Sequence, residues 1–249
     1  MRARLAVLAL LVLLPAAPGL ASEGTRAVEA FVARLAGVSV SEVAIEQTFT
    51  LYHPDGRHPQ TTGEQRIWLK IPQRQRVEET VEGRRKVRVV VGERAWERSP
   101  DGRVYEVPIE RDHERTYLIM PLRRTAADLL AEWRSLGVRD EVSHVTRVNG
   151  RPITVIGAQP GERHVPSVWL DAEHGVVRVV RREKLGKSDA LVDLAYSEHR
   201  PITGGFAFPY RQEAFVDGKL VLLVIVRSVR VNGGVPDALF DADALRRGT

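Results

Sequence analysis

The closest grouping of residues able to bind a metal is His53, Asp55 and His58, inside the stretch 52–59. Two imidazoles and a carboxylate suit zinc, but a structural zinc site closes with four ligands at set spacing. Here the ligands sit on turn residues, Pro54-Asp55-Gly56, and no further fixed ligand is apparent beside them. Asp112-His113 and His144 stand isolated. Glu78 and Glu79 are adjacent on a strand-like segment, and strand alternation sends neighbouring side chains to opposite faces. They therefore cannot converge on one bond as a carboxylate pair must. The sequence contains no G-x-S-x-G elbow, no H-E-x-x-H and no glycine-rich phosphate cradle. These observations predict no catalytic residue, no metal and no cofactor, and hence a binding protein rather than an enzyme.

The amino terminus points to export. Arg2 and Arg4 precede an unbroken apolar run, Leu5–Leu14; Pro15 and Pro18 break it, and Gly19-Leu20-Ala21 supplies small residues. This pattern predicts a secretory signal peptide over residues 1–21, cleaved after Ala21. The run is about half of the roughly 20 apolar residues that a spanning helix needs. The chain has no cysteine, so neither a disulfide nor a lipid on a cysteine after the signal is expected. Leu220–Val226, the most apolar later segment, is only strand length. The expectation is a periplasmic protein that is not integral to the membrane.

Charge excludes one class of partner. Of the 37 basic residues only five are lysine, and 32 acidic residues oppose them. The arginines alternate with apolar residues along strands, as on a solvated sheet face. No dense basic block interleaved with aromatics suggests a nucleic-acid surface. A mild preference for anionic head groups is compatible with the net charge of +5.

The positioning elements are mostly strands. Val28, Phe31, Val32 and Leu35 recur at helical spacing, with Gly37 as a stop, and predict an N-terminal helix. Strands are expected at 43–52 and 65–71, then as hairpins about Glu82-Gly83 and Asp101-Gly102. Residues 108–124 break this rhythm: a charged stretch, Glu110–Arg115, precedes the greasy Tyr117–Leu122. A second helix follows, with Thr125 and Asp128 as a capping box, Leu129, Leu130, Trp133 and Leu136 on one face, and Gly137 at its end. Strands resume at 138–148, turn at Asn149-Gly150, and run through hairpins about 171–175 and Asp217-Gly218. Pro201–Gly205 reads as a joint, and Leu239 and Phe240 as a docked tail.

About a dozen short strands exceed what a flat open sheet tolerates. The expected fold is mainly β, a single highly curved antiparallel sheet forming an unclosed barrel, with an N-terminal helix and a helical lid insert, as one domain over 22–249. Leu220–Val226 is apolar on both faces, and Val87–Val91 carries Arg88 as its only polar residue. Such strands need cover on both sides. A helix across a bent sheet encloses apolar space, which its side chains fill as an ordinary core or leave open to a ligand.

The order of elements and several local phrases resemble the LolA/LolB-like lipoprotein-carrier superfamily. Gly63-Glu64 leading into Trp68-Leu69-Lys70-Ile71-Pro72 resembles its early strand, and Gly92-Glu93-Arg94-Ala95-Trp96 one of its hairpins. Val168-Trp169-Leu170-Asp171 through Gly175-Val176-Val177 resembles another, and Val231-Asn232 with Pro236–Phe240 its closing segment. In one departure, the carriers place a lid-latching arginine just before the proline of the early strand, where this chain has Ile71, with Arg74 and Arg76 nearby. The resemblance implies an apolar cavity for a lipid or a lipoprotein acyl chain, and a donor or acceptor protein at the inner or outer membrane. The residues expected to line cavity and lid are Trp68, Trp96, Tyr117, Ile119, Leu122, Leu129, Leu130, Trp133 and Phe215. The alternative is a LolA-like envelope sensor that docks another envelope protein.

Overall fold

The computed structural model describes residues 22–108, 124–186, 188–203 and 206–247. Helix α1 (Glu23–Leu35) starts at Ser22, whose hydroxyl accepts the Thr25 N–H at 3.1 Å, and buries Val28, Phe31 and Leu35. Six strands follow: β1 (Glu42–Tyr52), β2 (Pro59–Lys70), β3 (Arg74–Val81), β4 (Arg84–Val91), β5 (Arg94–Arg98) and β6 (Val104–Val107). Helix α2 (Ala126–Ser135) precedes seven more: β7 (Ser143–Val148), β8 (Arg151–Ile156), β9 (Ser167–Asp171), β10 (Gly175–Leu185), β11 (Ser188–Thr203), β12 (Phe206–Val216) and β13 (Lys219–Val231). A 3-10 turn (Asp237–Phe240) and a short helix α3 (Ala242–Arg247) close the chain.

All 13 strands form one antiparallel sheet in the order β6-β5-β4-β3-β2-β1-β13-β12-β11-β10-β9-β8-β7. Two meanders, β1–β6 and β7–β13, are thus joined where the first strand pairs with the last, Val43 opposite Val231. The sheet does not close, because β6 and β7 remain edges. It curves around α1 and α2, and one apolar cluster runs from Val43 and Phe49 on β1 to Val168 on β9 and Ile156 on β8. The chain leaves the sheet at one edge strand and re-enters at the other, and α2 lies between them in sequence.

Local chemistry accounts for the elements. Asn149-Gly150, Asp217-Gly218 and Glu82-Gly83 all adopt positive φ, as a two-residue hairpin turn matched to strand twist demands. The capping box of α2 is complete: the Thr125 hydroxyl accepts the Asp128 N–H at 3.1 Å, and the Asp128 carboxylate accepts the Thr125 N–H at 3.0 Å. The helix ends at Gly137 with φ 86°, while the Gly137 and Val138 N–H groups donate to the carbonyls of Arg134 and Trp133. The strand expected from Val138 therefore begins only at Ser143. Val138 is buried because it closes the helix end against the core, not because it is part of the sheet.

Two apolar clusters lie on opposite faces of the first meander. The inner cluster joins α1 and α2 to Val43, Ile45 and Phe49 of β1 and to β8–β13. The outer one joins Val87, Val89 and Trp96 to Val235, Phe240 and Leu245, with Ala44, Trp68 and Leu239 against it. Strand alternation produces both: Ala44 lies between Val43 and Ile45, and Trp68 between Ile67 and Leu69. No helix among the described residues is long and apolar enough to cross a membrane.

Candidate functional site

The candidate site is the inner face of the sheet, where α1 and α2 lie. On α2, Leu129, Leu130 and Trp133 are buried in the inner cluster beside α1, with Trp133 only 1% exposed. Phe31 of α1 sits over Gly175, where an added Cβ would lie 2.8 Å from its ring. The same device recurs on β2: a Cβ at Gly63 would lie 2.5 Å from the Phe49 ring, so this glycine makes the hollow that the ring fills.

The register divides the inner face into rows. One apolar row runs through Val224, Phe49 and, across Gly63, Val81, and two residues further along β1 Leu51 faces Leu222. Another row runs through Val229, Ile45, Ile67 and Val77. Cover thins along β1: Phe49 is 6% exposed, while Leu51, the next inward residue on its strand, is 42% exposed. Val81, Leu222, Val229 and Ile67 are half-buried, as are Val32 of α1 and Leu136 after α2. The hydrocarbon surface therefore continues past the edge of the core.

Between the rows runs a polar one. Gln47 Nε2 donates to Gln65 Oε1 at 2.9 Å, and Gln65 Nε2 donates to Glu79 Oε2 at 2.8 Å. The three are direct cross-strand neighbours on β1, β2 and β3. Further along, Lys86 pairs with Glu97 at 3.0 Å, and the Tyr105 hydroxyl donates to Glu97 at 3.4 Å. Deeper in the second meander, Arg181 is 5% exposed, lies opposite Val192 on the inner face and pairs with Glu183.

The outer face is closed by the chain itself. Asn232 accepts the Ser41 N–H at 2.9 Å, and Glu42 accepts the Val235 N–H at 2.9 Å. Lys70 and Arg74 bond Asp237 at 2.7 and 2.9 Å and hold its carboxyl below its usual range. Arg76, 4% exposed, donates to the Leu239 carbonyl at 3.0 Å and to Glu78 at 2.8 Å. The two arginines near the early proline thus hold the C-terminal segment and do not reach the helices. A polar recess of about 290 Å³ is lined by Glu46, Gln47, Glu64, Gln65, Arg66, Glu78, Thr80, Arg85 and Arg227.

The expected site residues separate accordingly. Leu129, Leu130 and Trp133 are together on the inner face, whereas Trp68 and Trp96 lie in the outer cluster beneath the clasp. Phe215 is half-buried and faces outward, because Ala214 and Val216 on either side pack into the inner cluster. Tyr117, Ile119 and Leu122 lie outside the described residues. Asp55 and His58 meet at 2.6 Å on an exposed turn, where the Arg57 N–H and the His58 ring lower the Asp55 carboxyl to about 2. Among the described residues no three His, Cys, Asp or Glu side chains are grouped to hold a metal. Sequence reading missed the polar row and Arg181. Period-two placement of Gln47 between Ile45 and Phe49 was the available signal.

It also missed a cluster on the outer face of the second meander. Asp171, 2% exposed, takes two hydrogen bonds from Arg151, at 2.7 and 3.0 Å, and accepts the Glu173 and His174 N–H groups. Burial alone would raise its carboxyl, but these donors outweigh burial and hold it well below the usual range. His174 and His199 stack 4.7 Å apart, and burial, with His174 beside it, lowers His199 to about 4.

Comparison with solved structures shows a LolA-like fold. A domain described as that of an outer-membrane lipoprotein-sorting protein from Vibrio parahaemolyticus superposes with a TM-score of 0.55 at 12% identity, covering 90% of this chain and 100% of that one. A DUF1329 family protein from Desulfovibrio piger gives 0.55 at 13% identity over 90% and 99% of the two chains. A LolA superfamily protein from Nitrosomonas europaea gives 0.53 at 11% identity over 88% and 98%. No family model matches the sequence, and no curated protein matches it.

Proposed function

We propose that this protein is a periplasmic carrier that holds a lipid or the acyl chain of a lipoprotein against the inner face of its sheet. The observation behind this reading is the apolar surface that runs along β1 out of the core, from buried Phe49 to Leu51, which is 42% exposed, beside half-buried Leu222 and Val81. The likeness to a lipoprotein-sorting domain supports it. Each methylene removed from water gains about 0.8 kcal/mol, so a chain of about 16 carbons needs on the order of 12 kcal/mol of apolar cover in transit. Cargo of that kind must also be released. Helix α2 suits a lid: it is capped at both ends by residues next to it in the chain, and its buried side chains, Leu129, Leu130 and Trp133, join the inner cluster beside α1. No metal or cofactor has a part in this mechanism.

Native mass spectrometry of the protein after gentle purification tests the reading. Co-purified lipid or lipoprotein is expected. A stoichiometric protein partner with no lipid would instead mark an envelope sensor and remove the carrier role.

A further inference from the structure

Three features of the molecule are not used by the carrier reading: the stacked histidines at Asp171, the C-terminal clasp, and the polar row on the inner face. The first two are packed by the protein's own groups, although the buried His199 Nε2 and Trp96 Nε1 have no hydrogen-bond partner among the described residues. Asp171 is saturated by Arg151 and backbone N–H groups, and the clasp occupies the face on which it lies. The polar row is different. It interrupts an apolar wall, and its amides keep unspent hydrogen-bonding capacity.

We infer that Gln47, Gln65 and Glu79 form a subsite for the neutral, carbonyl-bearing linkage of an acylated ligand, an amide or ester next to the hydrocarbon chain. This rests on the carrier reading and adds what is recognised. A side-chain amide offers two N–H donors and a carbonyl with two lone pairs. Within the row, Gln47 spends one N–H on Gln65, and Gln65 spends one N–H on Glu79. Each amide thus retains a second donor, and Gln47 also retains its carbonyl. The row lies two residues along the strands from an apolar row on either side, which is about 7 Å at strand rise. An acyl chain lying on Phe49, Leu51 and Leu222 would bring its first polar group to the row, where a carbonyl meets spare N–H donors and an amide N–H meets the Gln47 carbonyl.

Charge selects among polar groups. The row runs into the carboxylate of Glu79, which opposes a second carboxylate and accepts a neutral linkage. Lys86 lies opposite Glu79 on β4 but is engaged by Glu97. The ligand class is therefore an acylated amide or ester, in preference to a free fatty acid.

A structural role for the row makes a different forecast. A purely structural role would show only in stability: replacing Gln65 leaves Gln47 without its acceptor and Glu79 without its donor, which lowers stability but does not by itself discriminate between two ligands. The test measures displacement of phenylnaphthylamine from the full chain by N-dodecanoylglycinamide and by dodecanoate, with thermal unfolding in parallel. The wild type is expected to bind the amide about tenfold better than the acid. Gln65→Leu should lose that preference while remaining folded at the assay temperature, with only a modest fall in unfolding temperature from the unpaired Gln47 and Glu79. Glu79→Gln, which keeps the shape, should bind dodecanoate more tightly than the wild type does. Equal wild-type affinity for both ligands overturns the subsite and leaves the carrier reading standing. So does a preference that survives in Gln65→Leu, or a lowered unfolding temperature that accounts for its loss. Binding of neither ligand by the wild type removes the carrier reading and the subsite together.

Discussion

The two faces of the first meander are built from the same strands but closed by different physics. On the outer face the chain folds over its own aromatics and is tied down by directional bonds: Glu42 to the Val235 N–H, Lys70 and Arg74 to Asp237, Arg76 to the Leu239 carbonyl. On the inner face α2 contributes three buried apolar side chains, and the polar contacts of the helices gather near their ends, such as Gly24 N–H to Ser143 and Arg134 to Asp140. Hydrogen bonds fix position to a few tenths of an ångström, whereas apolar contact is non-directional and survives a shift of register. On the proposed reading the outer cover stays and the inner cover moves. A transport protein needs that asymmetry, since cargo must enter one side of a sheet that stays folded.

The sharpest way to break this comparison is to cut one aromatic on each face. Trp133→Ala should cost about 3–5 kcal/mol of stability in denaturant unfolding and weaken lipid-probe binding. Trp96→Ala should destabilise by a comparable amount yet leave the probe affinity of the folded fraction unchanged. Equal effects of the two on binding would mean that the faces do not differ in function. Next in size is the clasp. Arg76→Ala removes a buried charged donor from the Leu239 carbonyl and from Glu78, at about 2–3 kcal/mol. Limited proteolysis should then cut first within 232–247, while probe binding persists.

Acid should act on the outer face of the second meander. His199 has its folded value lowered to about 4, so the unfolded chain takes up the proton first. Its contribution to stability is complete above the unfolded imidazole value near 6.5, and falls by on the order of 2 kcal/mol as pH drops towards 4. Asp171 has the same sign at lower pH: its contribution holds above the unfolded carboxylate value near 3.9 and is lost as pH falls below it. His199→Gln should flatten the stability profile between pH 6.5 and 4 and leave the part below it. The smallest effect concerns the lid. Thr125→Ala breaks the capping box at a cost of about 1 kcal/mol. Hydrogen exchange in α2 should quicken while that of the clasp does not.

Much of this fold could be read from short stretches of chain. The turns at Asn149-Gly150 and Asp217-Gly218, the Thr125–Asp128 box and the stop at Gly137 all follow from local sterics and local hydrogen bonding, and the approximate number of strands comes with them, though not their ends: β2 begins at Pro59 and β7 only at Ser143. The site was harder to read. The inner position of Leu129, Leu130 and Trp133 follows from one helical stripe. Trp68, Trp96 and Phe215 are aromatic residues on strands, and composition does not reveal which way they face.

Strand alternation dictates that Val43 and Ile45 share a face and that Ala44 and Trp68 share the other, and the apolar runs at Val87–Val91 and Leu220–Val226 show that both faces need cover. Which cover goes where depends on contacts between residues far apart in the chain: Val43 opposite Val231, Glu42 to Val235, Arg76 to Leu239. Period-two patterning is symmetric with respect to the two sides of a sheet. Only the pairing of the first strand with the last, and the return of the C-terminal segment across one side, broke that symmetry and left the other side for the helices and the proposed ligand.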